Sequence, residues 1–186
     1  LARLGKTPAD VMVDKRVTIP LDGGPAWTPR NFKRRYDGPM VIKKAFTESV
    51  NPIGGQLVAA VGPDAVIETA RQCGITTPLG AVHSVALGTF GVSPLEMAAA
   101  YTTFASGGVR HPPYLIHRVE DVSGRVLEEH IITGERVLNE ATAYQLVDMM
   151  AGVIDGGTGQ AVRRLGFSLP AAGKTGTTNG YHDAWF

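Results

Sequence analysis

Ala171-Ala172-Gly173-Lys174-Thr175-Gly176-Thr177-Thr178-Asn179 is the stretch on which both fold and chemistry turn. Small residues lead to a single lysine, and two hydroxyl side chains follow with a bare glycine between them. On an extended strand successive side chains alternate between faces. Thr175 and Thr177 then point to one side, and Lys174 and Gly176 to the other. Because Gly176 has no side chain, another molecule can approach its backbone closely. Such an edge suits a carboxylate-ended peptide laid alongside as an added strand. The competing reading of Gly173-Lys174-Thr175 is a phosphate loop, which needs a glycine five positions before Gly173 and a helix afterwards. Ser168 stands at the first place, and Gly176-Thr177-Thr178-Asn179-Gly180 is turn chemistry at the second. The nucleotide reading fails on both counts.

Lys174-Thr175-Gly176 is similar to one of the three signatures of serine acyl-transferases that react with β-lactams, the others being Ser-x-x-Lys and Ser-x-Asn. Ser49-Val50-Asn51 fits the middle signature and precedes Lys174, the expected order. A Ser-x-Asn triplet alone is ordinary turn sequence; its pairing with Lys174-Thr175-Gly176 gives it weight. Ser-x-x-Lys is absent. The residues three before Lys6, Lys15, Lys33, Lys43, Lys44 and Lys174 are Arg3, Met12, Arg30, Met40, Val41 and Ala171.

Further stretches carry a wider resemblance. They are Trp27-Thr28-Pro29-Arg30-Asn31, Gly38-Pro39, Ala86-Leu87-Gly88-Thr89, and Ser93-Pro94-Leu95-Glu96-Met97-Ala98-Ala99-Ala100-Tyr101 through Gly107-Gly108. Pro112-Pro113-Tyr114-Leu115-Ile116, Gly157-Thr158-Gly159 and Asp183-Ala184-Trp185-Phe186 complete the set. Together they resemble the transpeptidase domain of class A (bifunctional) penicillin-binding proteins over nearly the whole chain. The resemblance implies a partial domain spanning 1–186, with the Ser-x-x-Lys helix expected before Leu1 and a strand continuing past Phe186.

The resemblance also implies an activity, peptidoglycan D,D-transpeptidation through an acyl-serine. The catalytic candidates are Ser49 as proton relay, Asn51 as ligand of the substrate amide and Lys174 as a positive field over the site. The substrate-binding candidates are Thr175, Gly176 and Thr177, with the threonine hydroxyls on the terminal carboxylate and the Thr177 N–H in an oxyanion hole. Expected partners are stem peptides ending in D-Ala-D-Ala, β-lactam antibiotics and an upstream glycosyltransferase domain in the parent. The expected location is the extracytoplasmic face of the bacterial membrane, with the anchor in the part before Leu1. Without its nucleophile the chain alone is expected to be inactive. The alternatives are a class B transpeptidase, a D,D-carboxypeptidase, or a catalytically silent sensor module of the same fold. Intact Ser49, Asn51, Lys174 and Thr177 argue against the silent module. A β-lactamase would need a deacylating carboxylate, for which no clear candidate stands in the sequence.

Composition agrees with one globular unit. The chain has 186 residues, 44% of them apolar, enough for one core. Eighteen basic residues against seventeen acidic ones exclude a globally charged nucleic-acid binder. No apolar run approaches the roughly 20 residues that span a bilayer. Cys73 is alone, in an apolar helical pattern that suits a small core residue. His83, His111, His117, His130 and His182 lack ligand spacing, so no metal or other cofactor is expected.

An α+β architecture is expected, an antiparallel sheet flanked by helices. Residues 1–38 read as mostly irregular with one short strand near 16–19. Within them Arg30, Lys33, Arg34 and Arg35 form a basic cluster, read first as a solvated loop and second as a surface drawn to the anionic cell wall. Gly38-Pro39 opens a helix to about Glu48, with Ser49 and Asn51 at its end. Pro63 to about Cys73 is a second helix. Ser93-Pro94-Leu95-Glu96 is a capping box for a helix to about Ala105. Residues 114–119 and 126–132 read as paired strands, and Asn139 caps a helix to about Val153. After the Gly156-Gly157-Thr158-Gly159 loop and a short helix, strands at 170–177 and 182–186 are joined by Asn179-Gly180. Two departures from the family pattern stand out, the basic residues before Tyr36 and Pro52 with Gly54-Gly55. The glycines imply a loose start to the helix after Asn51, since each costs about 1 kcal/mol against alanine within a helix.

Overall fold

The computed structural model describes residues 1–21, 24–178 and 184–186. Strands β1 (Val11–Asp14), β2 (Ile19–Leu21), β3 (Gly24–Trp27) and β4 (Gly38–Val41) come first, followed by helices α1 (Ile42–Thr47), α2 (Asn51–Val61) and α3 (Pro63–Gln72). Helix α4 (Pro94–Ala105) precedes β5 (Val109–Arg110), β6 (Arg118–Glu120), β7 (Val126–Glu129) and β8 (Glu135–Arg136). Helices α5 (Glu140–Asp155) and α6 (Ala161–Arg164) then lead to β9 (Gly176–Thr177) and β10 (Ala184–Trp185).

The α+β class holds, but the described strands form five two-stranded antiparallel ladders rather than one continuous sheet. The last of them, β9 with β10, starts only at Gly176. Before it the Gly173 N–H donates to the Met150 carbonyl of α5 over 3.3 Å, so this backbone is tied to a helix instead of a neighbouring strand. The Asn179-Gly180 turn lies outside the described residues.

The amino-terminal reading needs correction. No strand covers 16–18; β1 lies earlier and pairs with β4 in the register Val11↔Val41 to Asp14↔Gly38. The helix expected from Gly38 starts instead at Ile42, because Gly38 has φ +76° and residues 38–41 are taken up by hydrogen bonding to β1. Alternation along β1 turns Met12 and Asp14 inward, and Asp14 is almost completely buried. The basic cluster is exposed, with Arg35 paired to Asp37 at 3.1 Å.

Local signals further along hold well. Both arms of the capping box on α4 are present, Glu96 N–H to Ser93 Oγ at 3.2 Å and Ser93 N–H to Glu96 Oε2 at 3.3 Å. The Glu96 carboxylate also accepts from the backbone and hydroxyls of Thr76 and Thr77, which hold it well below the usual carboxylate range. Asn139 caps α5 through Ala141 N–H at 2.8 Å. The strands expected at 114–119 and 126–132 shorten to β6 and β7, with Leu115 and Ile116 exposed.

Two apolar clusters carry the packing. Met40, Ala45 and Ile53 meet beneath Met12, Val50 and Leu57, while Cys73, Ile75 and Ala100 meet beneath Phe104 and Leu138. Helix α5 buries Ala143, Met149, Met150, Val153 and Ile154 and packs against α1, where Lys43 also pairs with Asp148 at 2.7 Å. Among the described residues no helix is long and apolar enough to cross a membrane.

The glycines of α2 do not loosen it; the helix is continuous from Asn51. Gly55 is buried where residues before β4 lie on the helix: a methyl added there would stand 2.8 Å from Pro29 Cγ and 3.2 Å from Ile19 Cδ1. Gly55→Ala therefore lowers the thermal midpoint. Overpacking of this kind costs about 1–3 kcal/mol, against about 1 kcal/mol gained in helix propensity. A raised midpoint in a melting experiment would show that the contact is slack.

Candidate active site

Helix α1 ends in a turn that fixes Ser49. The Val50 N–H donates to the Ala45 carbonyl at 2.8 Å and the Ser49 N–H to the Phe46 carbonyl at 3.1 Å. This two-bond ending puts its penultimate residue in the left-handed region, where glycine is usual. Ser49 occupies that place with φ +56°. A side chain there is strained by about 1–2 kcal/mol, and the hydroxyl it carries is exposed.

Two residues on, Asn51 begins α2. Its Nδ2 donates to the Arg30 carbonyl at 2.8 Å, and its N–H donates to Asn31 Oδ1 at 3.0 Å. Val50, at the N-cap, makes no side-chain bond to α2, so Asn31 supplies from a distant loop an acceptor for the first N–H of the helix.

Lys174 comes from the other end of the chain. Gly173 is buried between α5 and the Phe186 ring, and a methyl there would lie 2.7 Å from Phe186 Cζ and displace that ring. That anchor delivers Lys174 Nζ to Ser49 Oγ at 2.9 Å, and the ammonium also donates to the Thr175 carbonyl at 2.9 Å. The Phe46 ring lies beneath it, 6.0 Å from Nζ to the ring centroid. The separation is the one expected for two groups acting together. Burial pushes the Lys174 ammonium below the ordinary lysine value of 10.5. The unfolded chain therefore holds this proton to higher pH than the folded chain, and the stability contribution of Lys174 rises as pH climbs through that window.

The loop at 156–159 joins the two halves. A methyl on Gly157 would stand 2.3 Å from the Thr47 carbonyl oxygen, so only glycine fits. The Thr158 N–H donates to that same carbonyl at 3.1 Å, and the Thr158 hydroxyl meets the Thr175 hydroxyl at 2.6 Å. One loop thus fastens the last turn of α1 to the lysine segment. Gly176 and Thr177 are exposed on β9. Of the sequence candidates, Ser49 and Lys174 are brought into direct contact, Asn51 lies beside Ser49 in the chain, and Thr175 is engaged by Thr158. Sequence reasoning missed Thr158, Asn31 and Asp14 as contributors.

The chain matches the family described as penicillin binding protein transpeptidase domain over residues 15–184. It belongs to that family. It is 36% identical over 163 residues to penicillin-binding protein 1A of Aquifex aeolicus, covering 88% of this chain and 22% of the relative. It is 33% identical over 190 residues to penicillin-binding protein 1A of Neisseria meningitidis serogroup A, covering 98% and 24%. Both bear the name of the class A type that the motifs resemble. Among solved structures it is similar to penicillin-binding protein 1A of Haemophilus influenzae, with TM-score 0.85, 26% identity, and 93% of this chain on 32% of that one. It is similar also to PonA1 of Mycobacterium tuberculosis in complex with penicillin V, with TM-score 0.75, 25% identity, and 95% on 49%. The chain spans less than a quarter of the length of either relative named first.

The strained backbone at Ser49 yields a test. Ser49→Gly removes the left-handed penalty and raises stability by about 1 kcal/mol, while deleting the hydroxyl that Lys174 holds. Denaturant unfolding reads the gain directly. A loss of stability would mean that the Lys174 bond outweighs the backbone strain.

Proposed function

We propose that this chain forms most of the active site of a peptidoglycan D,D-transpeptidase, completed by a Ser-x-x-Lys segment from polypeptide outside the 186 residues. The observation that carries the reading is the 2.9 Å bond from Lys174 to Ser49 in a chain of this family. A serine hydroxyl is a weak nucleophile at neutral pH and needs an adjacent base. The lysine of the Ser-x-x-Lys segment takes the hydroxyl proton as the serine oxygen attacks the penultimate D-alanine carbonyl. The oxyanion then accepts from the Thr177 N–H; one such donor is worth about 2.7–4 kcal/mol in acyl transfer.

The carbon–nitrogen bond breaks as Ser49 passes the proton to the departing D-alanine nitrogen. An amine from a second stem peptide attacks the acyl-serine and gives up one proton to the lysine, and the ester bond opens as that proton is returned to the serine oxygen. Lys174 serves as a fixed cation over these steps, favouring the neutral form of the nearby lysine and attracting the substrate carboxylate. Among the described residues nothing bonds the Asn51 amide oxygen, which with one further N–H serves the substrate amide. The Thr158 hydroxyl can donate to Thr175, leaving the Thr175 proton, with that of Thr177, for the terminal carboxylate.

β-Lactams are read as the pseudo-substrates of this site, a reading supported by the penicillin V complex of PonA1. The parent protein is read as a membrane-anchored enzyme of the extracytoplasmic face with a glycosyltransferase domain, as its class A resemblance implies.

The 186-residue chain forms no covalent adduct with a fluorescent penicillin, whereas the longer protein carrying Ser-x-x-Lys does. Stoichiometric labelling of a serine within 1–186 would contradict the reading. In the longer protein, Thr177→Ala slows acylation by about 1.5–3 kcal/mol, the worth of one hydrogen bond to a charged group. Thr177→Pro also removes the N–H and slows it much further. Equal acylation rates in the two folded variants would remove the oxyanion role from this position.

A further inference from the structure

Asp14 is 1% exposed, and its partners are all neutral N–H donors. Asn31 Nδ2 donates to both of its oxygens, at 3.0 and 2.9 Å, and the Asp37 N–H donates to Oδ2 at 2.8 Å. Both carboxylate oxygens serve as acceptors here. They share this task with the Arg35 carbonyl, also at 2.9 Å: the Asn31 amide nitrogen faces Asp14 and that carbonyl, and its oxygen faces away. That oxygen is the acceptor of the Asn51 N–H. The adjacent Arg30 carbonyl accepts from the Asn51 side chain, so one loop grips Asn51 by backbone and amide together. With Nδ2 committed to Arg30, the remaining amide groups of Asn51 have a fixed direction.

We propose that Asp14 and Asn31 are positioning residues for Asn51, setting the orientation in which its side chain receives the amide next to the scissile bond of substrate or β-lactam. The proposal rests on the reading of Asn51 as ligand of the substrate amide. Neither residue touches substrate; both act through Asn51. A buried carboxylate here does what an apolar residue could not, because it adds two acceptor oxygens on the side of the Arg35 carbonyl and so reinforces one orientation of the Asn31 amide.

The test uses the full-length protein and two β-lactams, benzylpenicillin, which carries an acylamino side chain, and 6-aminopenicillanic acid, which lacks it. Acylation rate constants are measured for wild type, Asn31→Ala, Asp14→Asn and Asn51→Ala, with thermal midpoints alongside. Asn31→Ala is expected to slow acylation by benzylpenicillin about tenfold, the scale of one lost hydrogen bond. The same variant leaves 6-aminopenicillanic acid within about threefold of wild type on that scale. A merely structural role would slow both compounds equally. Where Asn31→Ala melts below the assay temperature, Asp14→Asn decides, since it keeps shape and fails in polarity alone; its selectivity is expected to shift the same way.

The Asn51→Ala control separates two failures. If Asn51→Ala selectively loses benzylpenicillin while Asn31→Ala and Asp14→Asn slow both compounds equally or neither, the positioning role is overturned and the reading of Asn51 stands. If Asn51→Ala shows no selectivity, Asn51 does not bind the amide and both fall.

Discussion

The contact on which the site depends is the hydrogen bond from Lys174 to Ser49, joining residues 125 apart in sequence. Neither partner could hold the other unaided. A single hydrogen bond of this kind adds about 0.5–1.5 kcal/mol to stability, too little to order two distant segments. The geometry is imposed from below, by α1 and α5 packed against each other and by the Gly157-Thr158 loop clamped on the Thr47 carbonyl. Ser49 is then held in a left-handed backbone conformation by the hydrogen bonds of Ala45–Val50, and Lys174 is held by its buried neighbour Gly173. Strain at a single residue, kept in place by a surrounding structure that leaves no alternative, is a usual companion of function.

A second constraint runs through Asp14. Buried carboxylates are expensive unless they are hydrogen-bonded, and here the Asn31 and Asp37 N–H groups donate to both oxygens. The β1–β4 ladder that buries Asp14 also brings α1 and α2 into register beside it. The amino-terminal strands, remote from Lys174 in sequence, thus set the place of Asn51. Gly55 completes this side by letting the Pro29 loop lie directly on α2.

What the sequence made legible were features with local causes. Ser93 and Glu96 form their capping box, Asn139 caps α5, and Pro63 begins α3 because each depends on neighbours within one turn. The meeting of Ser49 with Lys174 was legible for another reason: Ser49-Val50-Asn51 and Lys174-Thr175-Gly176 carry the family resemblance, and the structure brings those two side chains together. Other long-range pairing was not legible. Gly38-Pro39 has the look of a helix start, yet β1 claims the hydrogen bonds of 38–41 and delays the helix to Ile42. Gly54 and Gly55 looked like defects because the loop that needs Gly55 lies over twenty residues away. Asn31 and Thr158 stand in stretches that carry the family resemblance, yet nothing local shows which distant backbone each of them grips.

The most direct test of the account is a double-mutant cycle between Ser49 and Lys174 on penicillin acylation in the full-length protein. Residues that act as one unit lose their joint function when either is removed. Ser49→Ala and Lys174→Ala combined are expected to acylate about as slowly as the slower single variant. Loss in the double variant equal to the product of the two single losses would mean that the residues work independently, and would contradict the central claim.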